Sequence, residues 1–510
     1  MSPRPRRLRA LPWTLTLTLA PAVGLAELRP AGPADYCAVL NGAAPGDEVV
    51  LQPGRYTTPC GITASGAAGR PLVLRAASEA DGMRPVFAYT GRSSNVLDLR
   101  RVRHVTLRGL TFEHTEDSVD TIKLHASDDV TIERCAFRDI GGVTISALDG
   151  DCARLTVRDC TLRDVRSTAI YLGCHDGRGC HATEALVERT LIDGTLPGDG
   201  VGYGVQLKLN SYGTLRDNTV YRTRGPGLMV YGSDRGDPPS ILEGNYVHGS
   251  VTDACILVGG GPAVARNNVV EGCGYAGLRA QNYAGRGLQR RVWLVHNTVI
   301  DSAVAGVRVE AWAPGAGNVL AFNAIVPRAG VALLDPASPA AEPFVGNAAC
   351  PASAGCFEAS PAPYDLRPRV GGPLYRAAGA GSEPWRPTDD FLGAPRGPSA
   401  DIGALQRRDG IPGPRLGGGA PRPPREPMTP VSDAGSDAST MFNDALDTVV
   451  DVTKESPTMS DGAAPATPPS GSVAPGGCGC GAGRGAGGPA LALLALGAVA
   501  GARRRRGRGR

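Results

Sequence analysis

Apolar and polar residues alternate in short runs along most of this chain. Nine segments share one pattern: VTLRGLTF (105–112), VTIERCAF (130–137), LTVRDCTL (155–162), ALVERTLI (185–192), GTLRDNTV (213–220), SILEGNYV (240–247), AVARNNVV (263–270), VWLVHNTV (292–299) and NVLAFNAI (318–325). Alternation is the period of a strand, not of a helix. The segments recur at steps of 23 to 30 residues, the signature of stacked repeats. Each unit carries a second alternating strand: TIKLH, GVTIS, AIYLG, GVQLK, GLMVY, ACILV, GLRAQ and GVRVE. One such strand alone buries nothing, whereas stacked coils bury a continuous core between them. The aligned column reads Leu110, Cys135, Cys160, Thr190, Asn218, Asn245, Asn268, Asn297 and Asn323. Its asparagines predict a ladder of side-chain amides running from coil to coil, with Cys135 and Cys160 as small buried fillers.

This repeat resembles the right-handed parallel β-helix of pectate-lyase-like proteins. The resemblance implies an all-β fold, a right-handed parallel β-helix solenoid of about nine to ten coils over residues 27–345. APGDEVVLQPGRYTT (44–58) is similar to the N-terminal cap and first coil of secreted members. YDLRP…DDFLGAPRGPSADIGALQ, about 364–406, resembles the tail that closes such solenoids, so residues 346–406 are expected to form a cap. Residues 407–477 are rich in Pro, Gly, Ser, Asp and Thr, have little to bury and read as a disordered linker.

Composition agrees: 70 Gly, 43 Pro and only 8 Phe suit short strands joined by tight turns. The net charge of +4 is largely local, with arginines crowded at both ends, which argues against a nucleic-acid partner. Arginines followed by LPWTLTLTLAPAVGLA read as a secretory signal over residues 1–26. Export makes the 13 cysteines potential disulfide partners, and Cys37–Cys60, Cys174–Cys180 and Cys350–Cys356 are the expected pairs. Residues 478–510 contain a Gly-Cys-Gly-Cys element, a short apolar segment and an arginine block, and resemble the MYXO-CTERM class of sorting signals. That resemblance implies processing near Cys478 or Cys480 and attachment at the cell surface or outer membrane.

Alternate side chains of a strand face opposite ways. In GVQLK, Val205 and Leu207 point inward and Gln206 and Lys208 outward. The same phase puts Lys123 and His125, Thr144 and Ser146, Tyr171, Met229 and Tyr231, Ile256 and Val258, Arg279 with Gln281, and Arg308 with Glu310 on one outer stripe. Eight coils make a face roughly 35 Å long, suited to a polymer. Tyrosines offer flat surfaces to sugar rings, and Lys or Arg can pair with carboxylates or sulfates. The loops add Asn210, Ser211, Tyr212, Ser233, Asp234, Asn282, Tyr283, His175 and Asp176.

β-Elimination on a uronic-acid polysaccharide needs a base at C5, a neutraliser for the carboxylate and an acid for the leaving oxygen. Lys208, Tyr231 and Arg279 are the candidates, as base, acid and neutraliser respectively. Lys123, His125, Tyr171, Gln206, Asn210, Gln281 and Arg308 are the candidate substrate-binding residues. LKLNSYGTLRDNTV is similar to the stretch around the catalytic lysine of β-helix lyases of the alginate-lyase and chondroitinase-B type, with Lys208 in the lysine's place. Two positions depart from that pattern. Tyr231 stands where those enzymes place an arginine, and Val201 and Tyr203 stand where they carry an acidic pair that helps bind calcium. No metal ligand is therefore assigned, and calcium is only a candidate cofactor. Arg216, in the ladder strand, reads as a solvated outer residue. The outer stripe offers only Glu310 for the paired carboxylates of a hydrolase. Two readings follow: a surface-displayed, monomeric lyase acting on a polysaccharide, or a non-catalytic glycan-binding or adhesive surface protein.

Overall fold

A computed structural model describes residues 26–195, 201–283, 289–312, 315–334, 344–351, 354–359, 364–410, 415–416 and 422–425. They lie in one compact unit, Met1–Val452. The expected signal segment (save Ala26), the linker beyond 425 and the sorting tag lie outside the described residues.

The chain winds as a parallel β-helix. Its three sheets hold 15, 11 and 12 strands, called here sheets A, C and B. The eleven strands of sheet C imply about eleven coils, slightly more than the nine to ten expected, because coils before residue 105 also stack. The helix Tyr36–Asn41 covers the first coil, and the Cys37–Cys60 disulfide ties it to sheet C.

The corner between sheets A and B has one construction. From Arg103 to Ala349, two residues separate each sheet A strand from the sheet B strand that follows. The first of the two is left-handed: Arg134, Asp159, Arg189, Asp217, Asn267, His296 and Phe322 have φ between 46° and 59°, and glycine takes the three other corners. Each non-glycine there costs roughly 1–2 kcal/mol. The second residue is the aligned column, which offsets that cost. Asn218, Asn245, Asn268, Asn297 and Asn323 each donate Nδ2–H to the next asparagine's Oδ1 at 2.8–3.0 Å, ending on Asn347. Each also donates to a backbone carbonyl of the preceding coil. Cys135, Cys160 and Thr190 fill the column where side chains are smaller; both thiols are free and buried.

Inside, Tyr56, Phe87, Phe112 and Phe137 stack with centroids 4.9–5.0 Å apart, one ring per coil. Outside sheet A, charges alternate along the stack. Glu133 sits between Arg108 and Arg158, Glu188 bonds Arg216 at 2.7 Å, and Glu243 bonds Arg266 at 2.6 Å. Arg216 is thus a half-buried rung of a charge column rather than a freely solvated residue. Opposite charges at one-rung spacing oppose a register slip, which would part them.

The C-terminal region does more than cap the last coil. Leu374, Ala378, Ala400 and Ile402 pack on the outer face of sheet A around Ile241, Val264, Trp293 and Val319. Leu366, Phe391, Leu405 and Leu416 cover Tyr221, Tyr246, Val269 and Ile300 on sheet B. Arg396 Nη2 reaches Asn267 Oδ1 at 2.9 Å, and Arg425 reaches Asp217 at 2.8 Å. The region therefore runs back along sheets A and B. The long apolar side chains it contributes in these two clusters pack on neither the outer face of sheet C nor its loops.

Candidate functional site

Sheet C pairs in register through Asp98, Lys123, Ser146, Tyr171, Gln206, Met229, Leu257, Arg279 and Arg308. This corrects one expectation: Leu257 faces outward, while Ile256 and Val258 point into the core. ACILV is apolar throughout, so alternation gave it no phase. A second correction concerns exposure. Gln206, Lys208, Met229 and Tyr231 face outward, yet each is at most 3% exposed. Tyr203, Leu209, Tyr275 and Tyr283 close over them.

The centre of this face is Lys208. Its Nζ lies 4.1 Å from the ring centroid of Tyr231 and 5.4 Å from that of Tyr171. Burial alone lowers its pKa to about 8, with no charged neighbour contributing. A neutral amine is thus within reach near pH 8. Tyr231 and Tyr283 meet edge to face at 4.5 Å. Burial raises the phenol of Tyr231 far above its ordinary value and pushes Tyr171 and Tyr203 up to about 12. All three therefore stay protonated and can donate. Gln206 Nε2 donates to Tyr231 Oη at 2.7 Å, while Gln206 Oε1 is buried with no partner among the described residues.

The loop closed by Cys174–Cys180 leans on this cluster. Asn210 Nδ2 donates to Gly177 O at 2.9 Å, and His175 Nδ1 comes within 3.3 Å of Tyr171 Oη. His175 had no assigned role in the sequence. The signal was its spacing, four residues after an outward tyrosine inside a loop expected to be disulfide-closed. Tyr212 turns away, lining a groove on sheet A with Glu184 and Pro238.

The other expected site residues form two separate groups. Lys123 pairs with Asp149 at 2.9 Å, and His125 reaches Asp98 at 3.1 Å and Asp149 at 3.4 Å. Burial penalises the Asp98 carboxylate, but bonds from Asn95, His125 and Arg100 outweigh it and hold the pKa low. Burial raises Asp120, despite its bond from Ser146. This face thus carries carboxylates besides Glu310, which corrects the expectation of one. Asp98 was missed because VLDLR precedes the first strand counted.

Arg279 lies three rungs from Lys208, about 14 Å along the stack, which separates it from the reacting group it was expected to serve. It pairs with Asp253 at 3.0 Å and Glu310 at 2.9 Å and packs on Tyr275. Arg308 also bonds Glu310, at 2.6 Å. Gln281 follows Lys208, Tyr231 and Gly259 along the next column, and its carbonyl accepts from Gln289. Among the described residues, no group of three or more His, Cys, Asp or Glu side chains is arranged to hold a metal ion.

Among the described residues the disulfides are the three expected plus Cys255–Cys273, which joins sheet C to the coil that follows.

Residues 192–338 match the family model described as a right-handed β-helix region. No curated protein matches the chain. Among solved structures, an alginate lyase from Paenibacillus sp. is 17% identical, over 63% of this chain and 99% of that one, with a TM-score of 0.42. The A-module of the mannuronan C-5 epimerase AlgE4 from Azotobacter vinelandii is 16% identical, over 62% of this chain and 91% of that one, with a TM-score of 0.43. The pectate lyase Pel9A is 14% identical, over 76% of this chain and 98% of that one, with a TM-score of 0.45. At this level of identity the likeness is one of fold: the chain contains a right-handed parallel β-helix.

Proposed function

We propose that this protein is an exported, carbohydrate-active β-helix that cleaves a uronic-acid polysaccharide by β-elimination. The observation that carries the reading is Lys208, a buried lysine with a depressed pKa, set among tyrosines on the outer side of sheet C. Perturbed titrating groups of this kind concentrate at functional sites. Lys208, as the neutral amine, takes the C5 proton. Tyr171 is less buried than Tyr231 and bonded to His175, so its phenol is the better placed donor to the leaving oxygen. Tyr231, with its ring against Lys208, keeps the amine desolvated. Gln206 Oε1 accepts from a sugar hydroxyl. Arg279 serves more distant sugar units. Four disulfides fit an oxidising compartment, and residues 478–510 would attach the protein to the cell surface.

The test uses alginate, pectate, chondroitin and heparin-like polymers, with and without calcium, following the ultraviolet absorbance of an unsaturated uronate. Wild type is expected to produce it, with a rate that rises with pH to a plateau above about 8, because the base must be deprotonated. Lys208→Ala is expected to lower turnover by about 10²-fold or more. Full turnover in that variant would remove Lys208 as the base.

Non-catalytic glycan binding is the second reading. It is favoured by one observation: no cation contributes to the electrostatics of Lys208, so the described residues supply no neutraliser for the carboxylate beside it. Absence of product on every polymer, together with measurable affinity for one, would select it.

A further inference from the structure

Beside the loops that follow sheet C lies a cavity of about 300 Å³, walled by Ser233, Asp234, Asn282, Gln289, Arg290, Arg291 and the glycine run 259–261. That is the lower end of the size of ligand pockets, suited to one sugar ring. We propose that it is a subsite for a hexuronate residue about two along the polymer from the reacting one. The proposal rests on reading sheet C as a polysaccharide-binding face.

Gln289 supplies the first reason. It is 3% exposed, and most of its polar groups are used. Its backbone N–H donates to Ala311 O at 2.5 Å, its carbonyl accepts from Asn318 at 2.8 Å, and its Nε2 donates to the Gln281 carbonyl. Only Oε1 is buried without a partner among the described residues. Donation to a carbonyl fixes which end of the amide is oxygen, so the missing partner must be a donor. A sugar hydroxyl is a donor; a sulfate or phosphate ester is not.

Charge supplies the second reason. Arg290 is exposed, and its guanidinium has no partner among the described residues. With Arg291 it outweighs Asp234, so the wall carries a net positive charge fitted to a carboxylate. Asp234 can accept a second hydroxyl.

The backbone shows why these residues meet here. A Cβ on Gly261 would lie 1.8 Å from Arg290 O, and one on Gly259 would lie 3.0 Å from Tyr283 Cβ. Glycine therefore lets segment 289–291 lie directly on the preceding coil. The cavity adjoins the Lys208 loop, since Asp234 N–H donates to Asn210 Oδ1 at 2.9 Å. Its centre is about two rungs, roughly 10 Å, from Lys208. A sugar held there belongs to the same polymer as the one that reacts, about two residues along it.

The test measures calorimetric binding of hexameric and dimeric oligomannuronate, oligoguluronate and oligogalacturonate to the full chain carrying Lys208→Ala. Arg290→Ala or Gln289→Met is then added, and wild-type turnover is followed in parallel. Either substitution is expected to weaken the best-bound hexamer by about tenfold and the dimer by less than about twofold. Arg290 is exposed, so its variant keeps the fold even if Gln289→Met does not. Unchanged hexamer affinity in Arg290→Ala overturns the subsite, and turnover in wild type would leave the lyase reading standing. An equal loss for neutral cellohexaose also overturns it, since Arg290 would not be reading a carboxylate. Hexamer-specific loss without wild-type turnover keeps the subsite and removes the lyase reading. No binding of any hexamer overturns the subsite, and wild-type turnover then decides the lyase reading separately.

Discussion

The same coils treat their buried polar groups in opposite ways at two places. At the corner between sheets A and B, the amides from Asn218 to Asn323 spend both hydrogens and the oxygen on neighbouring coils. On sheet C, Gln206 keeps a buried oxygen with no partner among the described residues, and Lys208 sits in an apolar surround that disfavours its charge. Buried polar groups are costly unless paired. The asparagine ladder is complete within the protein, so its polar groups add stability. The face retains hydrogen-bonding capacity and an unfavourable charge, which is what a binding or reacting surface needs.

The contrast is most sharply broken at the ladder. Asn268→Ala removes the acceptor of the Asn245 backbone N–H and of one Asn245 Nδ2 hydrogen, and the donor to Leu242 O. The expected loss is about 2–4 kcal/mol in denaturant unfolding, while turnover of the folded protein stays unchanged. An unaltered midpoint would mean the ladder is decoration.

On the face, the sign reverses. Lys208→Met removes a charge that folding desolvates, so at pH 7 it should stabilise by on the order of 2 kcal/mol. The folded pKa of about 8 lies below the unfolded value. The unfolded chain therefore binds more protons between pH 8 and about 10.4, and wild-type stability rises across that window. The advantage of Lys208→Met should fade there. Urea unfolding at pH 7 and pH 10 would show it, and a constant advantage would contradict the desolvated state of Lys208.

The smallest expected effect lies on sheet A. Glu133→Gln removes a carboxylate shared by Arg108 and Arg158, both of which can turn to water. A loss of about 1 kcal/mol is expected. A loss as large as that at Asn268 would show that the charge column, and not the amide column, sets the register.

Much of the fold was legible because the solenoid repeats its own evidence. The aligned column named the asparagines, and alternation named the strands. Phase was legible only where polar residues mark it: GVQLK placed Gln206 and Lys208 on the outer side, while ACILV misplaced Ile256 and Val258. Exposure was not legible. Tyr203, Tyr275 and Tyr283 come from loops, and their packing over the Met229 and Tyr231 cluster has no period in the sequence. Arg279 looked available because alternation shows that a residue points outward, not that Asp253 and Glu310 already occupy it. Gln289 and Arg290 follow a long connection whose position only the packing of coils defines.

The fixed two-residue corner has a consequence for how such a chain can change over generations. Between coils, insertions and deletions are absent there, yet from Arg103 onward the connection entering sheet C varies from 4 to 11 residues and the one leaving it from 2 to 11. Length variation is thus confined to the two rims of sheet C. The loops of Cys174, Asp234 and Arg290 are products of that freedom. A lineage could lengthen or exchange these rims, and with them whatever the face binds, without any coil losing its place in the stack.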